Sequence, residues 1–400
     1  MRNKTNKTKK TNKTKKTNKT NKTHKKTLKK LPNKTPNKIN LISQNIYKYL
    51  DIYGILPINQ NNNLKSYSPT INNELVKLVS EERLPIDNCN NENAFNLQEP
   101  LKIGIPGKIY GKICIPYYEE KAKKFLLKNL SANKHIKPEI VVPPIQSQSN
   151  CWFNTMFVTL FVSDKGRKFF HFFRQLMILG TQVNGIKIPE NLRNSFALLN
   201  YAIDSCLTGS KYAYILDTNS IIKNIYDSIP LKYKEKLPYI KDVSEAGNPI
   251  YYYQSIIYYL HNDSLQMLFL KNALSSWKEK VIKMVEKYNY LPHFIVIEFY
   301  ENGNVINKAK SFYIKGAKYV LDSCIIRDTS KQHFCALITC ENNEMAYDGL
   351  SYHRLTPLLW KKYINSDFEW EFEGSKNQNG SPLKWNFLNG YQMLQYYRVK

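Results

Sequence analysis

One cysteine in this chain stands where it could act as a nucleophile. Cys151 follows a polar run, Gln146-Ser147-Gln148-Ser149-Asn150, and opens a stretch to about residue 179 in which apolar positions recur at helical spacing. A thiol in the first turn of a helix meets the positive end of the helix dipole, and the unpaired backbone amides there favour thiolate over thiol. The same amides can hold the oxyanion of a tetrahedral intermediate. A side-chain amide just upstream, Gln146 or Gln148, can add a second donor. A cysteine inside an apolar helix is otherwise an inert core residue; the polar approach sets Cys151 apart.

A thiol nucleophile needs a base, and the base needs a group that orients it. His333 begins a strand-like run, 333–340, directly after the polar loop 327–331. Asp348 lies one hairpin further on, with 340–344 supplying the turn. Antiparallel pairing of the two arms brings the Asp348 carboxylate beside the imidazole, where it can bind the far nitrogen and stabilise the cationic ring. Asp322 falls in the middle of the run 319–326 and lacks that relation. Singly each residue means little; nucleophile, base and orienter together satisfy one mechanism.

The elements that must position these groups follow from hydrophobic patterning. Residues 101–115 are β-like and punctuated by glycine, 117–130 are helical, and Val141-Val142-Pro143-Pro144 is an extended lead into the cysteine. A mostly helical middle runs to about residue 287. The last third is strand-rich, with strands predicted at 293–300, 311–314, 319–326, 333–340, 345–347 and 391–399. Helices first and strands later predict an α+β domain, a helical lobe facing a sheet lobe. The aromatics Tyr251, Tyr252 and Tyr253 are assigned to that helical lobe, and Trp152 to either the core or a cleft wall.

The bulk composition narrows the setting. The 400 residues carry a formal charge of +27, but residues 1–38 hold fifteen Lys, Arg2 and no acid, leaving +11 for the rest. That repetitive Asn/Lys/Thr tail has almost nothing apolar to offset the entropy of ordering, so it reads as a disordered basic arm capable of unspecific nucleic-acid contact. Residues 39–100 read as an accessory region and 101–400 as the catalytic domain. Seven sparse cysteines with no C-x-x-C pair argue against both a disulfide framework and a zinc site, and no cofactor is expected. The apolar run 152–162 is about half the length a bilayer span needs. No membrane association and an intracellular setting are expected.

The motifs, in order, resemble the ubiquitin-specific protease branch of the papain-like fold. Cys151-Trp152-Phe153-Asn154-Thr155 resembles the second half of that family's cysteine box. Leu291-Pro292 followed by an apolar strand, His333-Phe334 with Ala336, Tyr347-Asp348, and the closing Tyr391-Gln392-Met393-Leu394 with Tyr396 resemble its later segments. The likeness spans about residues 140–400. It implies a papain-like cysteine protease fold with a helical lobe and an antiparallel sheet lobe. It also implies a Cys151–His333–Asp348 triad with Gln146 as oxyanion donor, and as partners conjugates of ubiquitin or a ubiquitin-like protein. The family's zinc-binding cysteine pairs are absent, and a Trp- and charge-rich segment, 360–385, is inserted before the last strand. The Lys/Asn/Ile/Tyr-heavy composition suits an AT-rich genome such as that of a large DNA virus. Two alternatives remain: an inactive, basic nucleic-acid-binding or virion protein on the same fold, or a viral protease processing structural proteins.

Overall fold

The computed structural model describes residues 89–107, 111–132, 135–182, 185–243, 245–261, 265–300 and 307–399. The basic tail, and residues 39–88 of the expected accessory region, lie outside the described residues. Among the described residues, after a single helical turn at Glu92–Phe95, come a β-hairpin, β1 (Lys102–Pro106) and β2 (Lys112–Pro116), and helix α1 (Glu120–Ala132). The helical part comprises α2 (Cys151–Phe161), α3 (Asp164–Phe169), α4 (His171–Leu179), α5 (Glu190–Thr208), α6 (Thr218–Ser228) and α7 (Pro249–Tyr259), with shorter turns between. Strand β3 (Met267–Leu270) and α8 (Trp277–Tyr288) lead into the sheet.

That sheet has eight strands. With β3 they are β4 (Phe294–Phe299), β5 (Ser311–Ile314), β6 (Ala317–Arg327), β7 (Phe334–Cys340), β8 (Asn343–Tyr347), β9 (Leu355–Pro357) and β12 (Gln392–Arg398). Their order is β3-β4-β12-β6-β7-β8-β9, with β5 paired to β6, and every pairing is antiparallel except β3 with β4. A separate hairpin, β10 (Glu369–Lys376) with β11 (Pro382–Asn386), forms within the inserted segment. Helices and antiparallel sheets thus coexist in one chain, compatible with an α+β fold.

The strands read as nearly continuous apolar runs because both faces of the sheet are covered. Ala336, Ile338, Met345 and Val296 pack into the helical core beside Phe153, Phe157 and Tyr253. Leu337, Ala346, Ile297 and Tyr319 face the opposite way, against Trp277 of α8 and Trp360 and Trp385 of the inserted segment. Helix α2 is buried along its whole length, packed between β6 and β7 on one side and α7 on the other. An all-round apolar helix is stable only in such a place.

The cysteine pattern needs one correction. Cys89 and Cys114 form a disulfide, where the sequence argued against disulfides. The hairpin register sets Cys114 opposite Gly104, and the Cys89 sulfur lies against that same position, 3.4 Å from where a Cβ would be. Spacing rules look for short cysteine motifs and do not see a partner brought in across a hairpin. Cys151, Cys206, Cys324, Cys335 and Cys340 are unpaired thiols.

Candidate active site

Each of the three chemical groups sits at the end of an element. Cys151 is the first residue of α2. His333 directly precedes β7, and Asp348 directly follows β8. The β7–β8 hairpin turns on Glu341 and Asn342, both with positive φ, which matches the twist of a two-residue hairpin. Asp164 at the start of α3 accepts both turn amides, at 2.8 and 3.0 Å, and Arg167 donates to the Glu341 carboxylate at 2.6 Å. Two polar anchors thus fasten the hairpin to the helical part.

The register of that hairpin decides where the acid goes. Ala336 pairs with Tyr347, so the next position sets Asp348 across from Cys335 and diagonal to His333 on one face. His333 Nε2 lies 2.6 Å from Asp348 Oδ1, with both side chains buried. Cys151 is near enough to the ring to be among the groups that raise its pKa. Burial lowers the imidazole pKa, but the Asp348 charge and the hydrogen bonds to Asp348 and Cys151 outweigh it, raising the pKa from 6.5 to about 10. The balance of these effects favours the protonated ring.

The loop before His333 is wound around Asp328. One carboxylate oxygen accepts the amides of Gln332 at 2.8 Å and His333 at 2.5 Å; the other accepts the Ser330 amide and hydroxyl. Asp348 is held as fully. Its Oδ1 also accepts the Leu350 amide at 3.1 Å, and its Oδ2 takes the hydroxyl of Ser375 on β10. Trp385 on β11 packs edge-on to the His333 ring, 5.9 Å between centroids. Neither Asp328 nor Ser375 was singled out in the sequence. Asp328 had a legible signal, an Asp followed by Thr and Ser in a polar loop, which favours local side-chain bonds to backbone amides. Ser375 had none.

The segment ahead of Cys151 is anchored at four successive residues. Arg354 donates to the Pro143 carbonyl at 2.8 Å, Tyr347 to Pro144 at 2.8 Å and Asn154 to Ile145 at 3.1 Å, while the Gln146 amide donates to Gly349 at 3.0 Å. Two of these anchors, Tyr347 and Gly349, flank Asp348, and the Arg354 carbonyl accepts its amide at 3.1 Å, so acid and approach arm are parts of one assembly. Gly349 is required: a Cβ there would lie 2.9 Å from that of Gln146. The Gln146 side-chain oxygen is buried without a hydrogen-bond partner. Asn154 also accepts from Thr218, at 2.6 Å, tying α2 to the start of α6.

Cys151, His333, Gln146 and Gln148 all line one open cleft of about 1240 Å³. Trp152 contributes an edge to it, yet it is 1% exposed and packs on Tyr252, with 4.8 Å between ring centroids, so it is chiefly a core residue. Asp322, the discarded acid, is buried elsewhere, accepting the amides of Lys165 and Gly166. Among the described residues no group of three His, Cys, Asp or Glu side chains is arranged to hold a metal ion, and no helix is long and apolar enough to cross a membrane.

No family model and no curated protein matches the chain. Among solved structures it is similar to the yeast SAGA DUB module Ubp8/Sgf11/Sus1/Sgf73 bound to monoubiquitin, at 9% identity and a TM-score of 0.38, over 65% of this chain and 70% of that one. The same module bound to ubiquitin aldehyde gives the same figures. An essential yeast splicing factor is similar at 10% identity and a TM-score of 0.31, over 60% of this chain and 70% of that one.

Proposed function

We propose that this chain is a papain-like thiol hydrolase of peptide or isopeptide bonds, with Cys151 as nucleophile, His333 as acid–base and Asp348 as orienter. The observation that carries the reading is an imidazole bonded to Asp348 that lines the same open cleft as a thiol at a helix start. His333 takes the Cys151 proton. The sulfur attacks the substrate carbonyl, forming a C–S bond, and the oxyanion is held by the Cys151 amide and the Gln146 side-chain amide. Collapse breaks the C–N bond as His333 gives its proton to the leaving amine. Water then loses a proton to His333 and attacks the thioester, which releases the acid and restores the thiolate.

Ubiquitin or a ubiquitin-like C-terminus is the substrate that the motif resemblance supports, from Cys151-Trp152-Phe153-Asn154-Thr155 to the closing strand. The test is covalent labelling by a ubiquitin vinyl sulfone, with and without Cys151→Ala. Labelling of the wild type alone supports the reading. A thiol that no electrophile modifies at Cys151 sinks the hydrolase, and cleavage of peptides without ubiquitin labelling replaces only the substrate. The basic tail is proposed to touch nucleic acid unspecifically and the protein to act inside the cell; salt-sensitive DNA retention lost on deleting residues 1–38 tests the first.

A further inference from the structure

Asn150 stands at the N-cap of α2, directly before Cys151, yet its side chain makes no bond to the amides of its own helix. An asparagine there ordinarily turns its oxygen onto the second or third amide. Here the Asn150 side-chain nitrogen donates instead to the Thr218 hydroxyl of α6, at 3.0 Å. The polarity of this contact is fixed from its far end. The Ile145 carbonyl can only accept, so Asn154 gives it the side-chain nitrogen, at 3.1 Å, and presents its oxygen to Thr218. Thr218 has one proton and donates it to that oxygen at 2.6 Å, which leaves the hydroxyl oxygen to accept from Asn150. The Asn150 oxygen is what remains, buried and without a hydrogen-bond partner.

A buried oxygen without a donor, next to helix amides it could cap, would be satisfied by the turn of one side chain. Thr218 holds the two apart. We infer that Thr218 is a positioning residue of the proposed hydrolysis: its hydroxyl keeps the Asn150 oxygen off the first turn of α2. A capping oxygen would sit on the Trp152 or Phe153 amide, beside the Cys151 amide that receives the oxyanion, and oppose the charge forming there. The inference deepens the hydrolase reading and rests on it. The same end of α6 also grips the arm that carries Gln146. Ser147 donates to Asp217 at 3.1 Å and accepts from the Asn219 side chain at 2.7 Å. With Thr218 fully buried between them, three consecutive residues fix the arm and the helix start relative to each other.

The test compares Thr218→Val, which keeps the shape and removes the hydroxyl, with Thr218→Ser, which keeps the hydroxyl, in the full chain. On a ubiquitin fluorogenic substrate T218V is expected to lose at least about tenfold in kcat with KM within about twofold, and T218S to stay within about threefold of wild type. Alkylation of Cys151 by iodoacetamide forms no oxyanion, so T218V should alkylate within about threefold of the wild-type rate. Asn150→Ala placed in T218V removes the oxygen and should recover most of the lost kcat. Equal losses of turnover and alkylation would show that Thr218 only holds the helix, and they overturn the inference, as does a double variant no faster than T218V. If T218V does not fold, Asn150→Ser, which can cap α2, and Asn150→Ala, which cannot, carry the comparison. The serine variant is expected to be the slower although its melting temperature is no lower; equal rates overturn the inference. A wild type that turns over neither the ubiquitin substrate nor a peptide sinks the hydrolase itself, whereas equal kcat in T218V and T218S sinks the inference alone.

Discussion

Ser375 donates its hydroxyl to the Asp348 carboxylate oxygen that His333 does not use. The donor comes from β10, in a segment outside the sheet that carries the histidine and the acid. An orienting carboxylate buried beside a cationic ring must have its second oxygen satisfied, and the inserted hairpin does this. The hairpin is thus a structural part of the site, with Trp385 against the ring and Lys376 at the cleft.

Ser375→Ala removes that donor and leaves a buried lone pair unsatisfied, a cost of about 1–3 kcal/mol. The expected result is a fall in kcat/KM of about tenfold or more, with a smaller loss on Ser375→Thr, which keeps the hydroxyl. Initial rates on a ubiquitin fluorogenic substrate check it. Equal rates for wild type and Ser375→Ala would show that Asp348 needs no such support.

The raised His333 pKa predicts a pH dependence of stability. The folded value of about 10 exceeds the unfolded 6.5, so the imidazolium's contribution is complete below about pH 6.5 and is lost as pH rises towards 10. Melting temperatures of wild type and His333→Gln, measured from pH 6 to 10.5, should converge with rising pH. A difference that stays constant across that range would mean that the ring is neutral in the fold.

Arg354 is buried and holds the Pro143 carbonyl, and burial lowers its pKa to about 10. Arg354→Ala should cost about 2–4 kcal/mol in urea unfolding, since it opens a buried void and frees the approach arm. Arg354→Lys should recover part of the stability but little activity, because one ammonium cannot span the Pro143 and Tyr214 carbonyls that the guanidinium reaches. Full activity in the lysine variant would show that the arm does not depend on this clamp.

Gly247→Ala places a methyl group against the Trp152 indole, where a Cβ would sit 2.3 to 2.7 Å from ring atoms. Trp152 directly follows Cys151, so the displacement should reach the thiol. Expected are a stability loss of about 1–3 kcal/mol and slower alkylation of Cys151 by iodoacetamide. An unchanged alkylation rate would separate the indole from the thiol.

Reduction of Cys89–Cys114, or Cys89→Ser, opens a cross-link spanning 25 residues. A loop of that size predicts a loss of about 3 kcal/mol, read as a lower melting temperature in dithiothreitol. The thiol chemistry at Cys151 should survive, because the bridge lies at the β1–β2 hairpin, away from the cleft.

Local patterning carried far into this fold. The run 333–340 became β7 with His333 at its threshold, and the turn at 340–344 became the Glu341–Asn342 hairpin that returns Asp348 to the ring. Both arms lie close in sequence, and a two-residue turn leaves one register, so the His333–Asp348 contact was legible before any packing. The polar approach to Cys151 likewise became an arm ending at a helix start. The disulfide and the hairpin at β10–β11 were not legible, since each depends on partners that no local pattern names.

Sequence alone determined the residue types suited to thiol chemistry, the alternation that makes strands, and the periodicity that makes α2 a helix. Tertiary structure decided that Cys151 and the His333 ring line one cleft, because that happens only when a fully buried helix is packed against β7. It also decided which oxygen of Asp348 would find Ser375. Such contacts join residues far apart along the chain, so they follow from packing and from no property of either residue's neighbours.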